Sequence, residues 1–235
     1  MADRNIFRWV VAALAALLAG CASQVAAPPE IAGRGPAEFP DGYYRSLVAQ
    51  GTPVFRVDPA RSLVVIELRR GGSLAHLGHD HIVASHDVAG YVAPGEGRAD
   101  LYVPLDALVV DEPALRSEAG LETQPSPADI AGTRRNMLEK VLETDRYPHA
   151  LIAVRGNGAG DSAPQVRVDV TLHGTTRSVD TPVQIQRDGA EFNVTGTLVI
   201  DQSRFGIAPF SVLGGAIAVQ DRVNIKFRIH AAITK

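Results

Sequence analysis

From Pro53 onward, apolar and polar residues alternate with a period of two. Val166, Val168, Val170 and Leu172 are interleaved with Arg167, Asp169 and Thr171, and Val223, Ile225, Phe227 and Ile229 with Asn224, Lys226 and Arg228. Phe192, Val194, Leu198 and Ile200 share another face, and Gly196 among them marks a bulge or a close approach. Val64, Ile66 and Leu68 open the series, and Leu101, Val103 and Leu105 continue it. Such alternation predicts strands with one apolar and one wet face. Roughly eight strands are expected, joined by turn signals such as Gly71-Gly72, Pro94-Gly95 and Asp188-Gly189.

One segment changes period. Ser126-Pro127-Ala128-Asp129 supplies a cap, a proline at the first helical position and an acid at the third. Ile130, Met137, Leu138, Val141 and Leu142 then recur at helical spacing, and Pro148 stands beyond the stop. The predicted fold class is therefore all-β: an antiparallel barrel with one α-helix inserted around Ala128 to Leu142. Closure suits such a chain because it removes exposed strand edges. The interior of an eight-stranded barrel is filled by side chains or holds one small ligand, and alternation does not separate the two. A transmembrane barrel would need aromatic girdles. The thirteen aromatic residues (seven Phe, five Tyr, one Trp) are spread without girdle spacing.

The start of the chain follows a different logic. Arg4 and Arg8 precede a short apolar run, Trp9 to Ala19, which ends in Leu18-Ala19-Gly20-Cys21. That run is shorter than the roughly 18 apolar residues a membrane-spanning helix needs. Residues 1–20 read as a signal peptide whose end resembles the lipobox of bacterial lipoproteins, with Cys21 as the acylated anchor. An ordinary secretory signal with an incidental cysteine is the plainer alternative. Cys21 is the only cysteine, so no internal disulfide is expected. By the same resemblance, Ala22 in place of an aspartate points to the outer membrane, facing the periplasm. Residues 21–52, with Ala26-Ala27-Pro28-Pro29 and Gly33-Arg34-Gly35-Pro36, read as a tether. A short helix packed on the domain is expected between Phe39 and Val48. The barrel domain is assigned to 53–235.

Composition narrows the function classes. A net charge of −3 offers no basic stripe for nucleic acid. There is no Gly-x-Ser-x-Gly elbow, no His-Glu-x-x-His and no phosphate-cradling glycine loop, so no enzyme activity is expected. No Cys-x-x-Cys-His is present for covalent haem.

Five segments, in order, resemble the YceI-like family of periplasmic lipid-binding proteins. They are Phe55-Arg56-Val57-Asp58-Pro59-Ala60-Arg61-Ser62, His76-Leu77-Gly78, Asp145-Arg146-Tyr147-Pro148, Thr171-Leu172-His173-Gly174-Thr175-Thr176-Arg177 and Asp201-Gln202-Ser203-Arg204-Phe205-Gly206-Ile207. The resemblance implies an extended, lipocalin-like barrel enclosing a long amphiphile, such as a polyisoprenoid, an isoprenoid quinone or a similar lipid, with no other cofactor. It favours a lumen over a filled core. Homodimers are a common expectation for the family, and no residue here marks an interface.

The chain departs from the family pattern in its histidines. Four of its seven lie between His76 and His86. In a strand, His79 and His81 point to one face. With His76 and Phe205 they are the candidate ligand contacts at the barrel mouth. The alternative is a zinc or copper site using His79 and His81, completed by His76 or by a residue from a neighbouring strand. Three readings follow: a carrier of an apolar amphiphile, a metal-binding periplasmic module, and a structural or stress-related envelope protein without a small ligand.

Overall fold

A computed structural model describes residues 35–121, 123–156 and 165–234. The signal segment 1–20, Cys21 and the first part of the expected tether lie outside the described residues.

Helix α1 (Asp41–Ala49) precedes β1 (Phe55–Val57) and β2 (Leu63–Leu68), which are separated by a 3-10 turn at Pro59–Arg61. Then come β3 (Arg70–Gly71), β4 (His81–Ser85), β5 (Ala89–Ala93), β6 (Arg98–Pro104) and β7 (Val109–Val110). Helix α2 (Pro113–Glu118) leads to helix α3 (Pro127–Asn136), which runs on into a π-helical turn at Met137–Val141. The chain returns through β8 (His149–Arg155), β9 (Gln165–Leu172), β10 (Thr175–Asp188) and β11 (Glu191–Asp201). It ends with β12 (Ser211–Val212), β13 (Ile217–Val219) and β14 (Arg222–Ile233).

Eight of these strands close an antiparallel barrel in the order β1-β5-β6-β8-β9-β10-β11-β14, with β14 pairing back onto β1. Register follows the alternation read from the sequence. Between β11 and β14 the inward partners are Val194 with Ile229, Gly196 with Phe227, Leu198 with Ile225 and Ile200 with Val223. A one-residue slip would turn all of them outward, so the apolar face itself pins the register. The opposite face carries Arg167, Asp169, Lys226 and Arg228, the reverse of a lipid-facing band. Gly196 is the expected close approach. A Cβ there would lie 2.5 Å from the Phe227 ring, so its absence gives that ring room inside the barrel.

The seam is made by a broken strand. β1 and β2 both pair with β14, at opposite ends of it. At the break, Asp58 Oδ1 accepts from Ala60 N–H, and the Ser62 hydroxyl bonds both the carbonyl and the N–H of His230. Beyond the break, β2 carries β4 and β7 away from the ring. Helix α3 lies against β7, where Arg134 donates to the carbonyls of Leu108 and Asp106. Its start is the capping box expected from Ser126 and Asp129.

The stretch assigned to a tether needs correction from residue 35 onward. Helix α1, the short helix expected near Phe39, belongs to the same compact unit as the barrel. It buries Tyr44 and Leu47 against Val54 and Ala93, and Tyr44 stacks on Tyr91. The Tyr44 hydroxyl donates to Asp100 Oδ2 at 2.7 Å. Tertiary contacts rather than propensity hold this helix in place, which is why the flanking proline and glycine read as tether. Among the described residues no helix is long and apolar enough to cross a membrane.

Candidate functional site

The inward faces do not meet in a solid core. They surround a cavity of about 780 Å³. Strands β5, β6, β8, β9, β10, β11 and β14 each contribute to its wall, mostly through Val, Ile, Leu and Phe. Protein interiors pack as densely as organic crystals, so a void of this size is a built feature rather than a packing fault. Its volume lies within the usual range of small-molecule sites.

Polar groups gather at the two ends of the lumen. One end has Arg98 and Gln165. The other has Arg70, His79, His81 and Asp129, beside an exposed Leu77. Helix α3 covers part of this second end, its Gly132 and Thr133 sharing the wall with Met137 of the following turn.

His79 and His81 both border the lumen, their ring centroids 6.3 Å apart. His81 Nδ1 lies 2.6 Å from Asp111 Oδ2. Asp111, at φ 57° just after β7, also accepts from Ile82 N–H at 3.0 Å and from Arg116 Nη1 at 2.6 Å. Arg116 and Asp111 side chains are completely buried. Burial alone would raise the Asp111 pKa. The hydrogen bonds from His81, Ile82 and Arg116 outweigh it and hold the carboxyl below its ordinary range. Arg116 Nη1 donates also to the Asp80 carbonyl, and Nη2 to the Thr123 carbonyl. One guanidinium thus ties the His79–His81 segment to the approach of helix α3.

The other two candidate contacts lie off the wall. His76 is exposed on a 3-10 turn, Ala75–Leu77, and does not reach the lumen. Phe205 does not line the lumen and is buried against Val168, Val170, Ile200, Ile207 and Val223. Among the described residues, no group of three or more His, Cys, Asp or Glu is placed to hold a metal ion. His173 is a turn residue, at φ 51° before Gly174, with its ring on Tyr147 and Nε2 3.1 Å from Glu143. Asp201 pairs with Arg222 at 3.5 Å. Asp111 and Arg116 were not singled out from the sequence. An acid and an arginine five positions apart are commonplace, and only their burial sets this pair apart.

The comparisons agree with this architecture. The family model described as YceI-like domain matches residues 55–231. Among solved structures, a polyisoprenoid binding domain from Saccharophagus degradans superposes with a TM-score of 0.54 at 15% identity, covering 77% of this chain and 98% of its own. Burkholderia cenocepacia BcnA gives a TM-score of 0.55 at 20% identity, covering 75% of this chain and 99% of its own. At those identities the likeness establishes the fold. No curated protein matches the chain significantly. With its lipocalin-like barrel and a family match over most of its length, the chain belongs to the YceI-like family.

Proposed function

We propose that this protein binds a long apolar amphiphile, an isoprenoid lipid or isoprenoid quinone, inside the barrel. The observation that carries this reading is the 780 Å³ lumen walled by aliphatic side chains. The polyisoprenoid-binding relative with the same fold supports it. An isoprenoid tail offers only apolar surface, and burial at about 25 cal/mol per Å² would supply most of its affinity. Binding without catalysis is the whole of the proposed activity. Its setting is the periplasmic face of the cell envelope, and the outer membrane is the proposed site of attachment. There an acyl group on Cys21 would hold the domain beside its lipid source. Loss of membrane association in Cys21→Ser would support that placement, and unchanged association would remove it.

The lumen reading is tested by titrating the full chain with isoprenoid alcohols of increasing length. Affinity should rise by about tenfold or more per isoprene unit and level off when the lumen is full. Affinity independent of length would contradict it.

A further inference from the structure

The polar end of such an amphiphile needs a partner, and the Leu77 end of the lumen supplies a specific one. Asp111 is ionised at neutral pH and therefore only accepts hydrogen bonds. At 2.6 Å from that carboxylate, His81 Nδ1 must carry the proton between them. A neutral imidazole so held presents Nε2 as a lone pair. The ring borders the lumen, and Nε2 has no hydrogen-bond partner among the described residues.

The guanidinium groups lining this end are already matched. Arg116 is spent on Asp111. Arg70, the guanidinium lining this end, faces Asp80 at 3.8 Å and donates to the Gly78 carbonyl at 2.9 Å. Asp129 adds a negative charge near His79 and His81. Among the described residues lining this end, no unpaired guanidinium awaits a phosphate, whereas a neutral hydroxyl donor finds a fixed acceptor.

We propose that His81 Nε2 accepts a hydrogen bond from the hydroxyl of a long-chain isoprenoid alcohol, and that the lumen selects this form over its ether or its phosphate. Asp111 and Arg116 are positioning residues: they set the imidazole tautomer and hold the segment that carries it. The inference rests on the proposal that the lumen takes an isoprenoid chain.

The test titrates the full chain and its His81→Phe variant with geranylgeraniol, geranylgeranyl methyl ether and geranylgeranyl phosphate. The wild type should bind the alcohol about fivefold to tenfold more tightly than the ether, and His81→Phe should lose that preference while still binding both. Equal binding of alcohol and ether by the wild type overturns the head-group assignment and leaves the lumen reading standing. So does a preference that survives in a folded His81→Phe, or tighter binding of the phosphate. Failure of all three probes to bind overturns both. Imidazole ¹⁵N shifts of the wild type give an answer independent of any variant. They should show a protonated Nδ1 and an unprotonated Nε2 on His81, and the reverse tautomer refutes the proposal.

Discussion

Two buried carboxylates organise the two ends of this barrel, and they are used differently. Asp100, on the outward face of β6, accepts from Tyr44, Arg98 Nε and Arg155 Nη2. Every partner there belongs to the fold, and Arg98 also lies 4.1 Å over the Tyr43 ring. The cluster closes on itself and fastens helix α1 to the wall. Asp111 likewise gathers three donors, from Arg116, Ile82 and His81. One of these, His81, turns its other edge to the lumen. Both carboxylates are buried and both are held by arginine, so a buried ion pair does not mark a site by itself. The distinguishing feature is the hydrogen-bonding capacity left facing a cavity.

The largest expected effect breaks the comparison on stability. Arg116→Met strands a buried carboxylate and should cost about 3–5 kcal/mol in urea unfolding. Adding Asp111→Asn should restore much of that, because the uncompensated charge is gone. Tyr44→Phe removes one donor from Asp100 but leaves both arginines, and should cost about 1–2 kcal/mol with no change in lipid affinity. If Tyr44→Phe weakens ligand binding as much as His81→Phe does, the two clusters are not separate in role.

Acid and alkali should divide the clusters further. Both Asp100 and Asp111 have lowered pKa values, because hydrogen bonds to cations and N–H groups exceed the opposing effect of burial. Their stabilisation is present above the ordinary aspartate value of 3.8 and is lost as pH falls below it through their lowered native values. Tyr44 is raised by burial, then by Asp100. Its contribution is present below the ordinary tyrosine value of 10.0 and is lost as pH rises beyond it. Unfolding free energies measured across pH should therefore fall at both extremes. Tyr44→Phe should blunt the alkaline fall and spare the acid one; Tyr91 and Tyr102, also raised by burial, contribute in the same direction.

The sequence made some of these features readable and hid others for physical reasons. Strands β9, β11 and β14 and the capped helix α3 were legible because each depends on local periodicity or a local cap. Gly196 was legible as a close approach, though its partner, Phe227, comes from β14. Alternation told which side chains face inward but not how far apart the facing walls stand, so lumen and filled core looked the same. Helix α1 was legible as a short helix packed on the domain, but its anchor was not, because Tyr44 meets Asp100 and Tyr91, both remote in sequence. His79 and His81 were found as a pair, while Asp111 and Arg116 became meaningful only once packed behind them. Phe205 carried the family motif and proved to be buried among Val168, Ile200 and Val223 rather than to line the lumen.

The central claim is that the lumen is a binding space for an apolar chain, and solvent extraction of the full-length protein purified from its native cells tests it most directly. Mass spectrometry should find close to one equivalent of an isoprenoid lipid per chain, which would be displaced by added geranylgeraniol. Repeated extracts without a stoichiometric amphiphile, from protein that also fails to take up geranylgeraniol, would contradict the account.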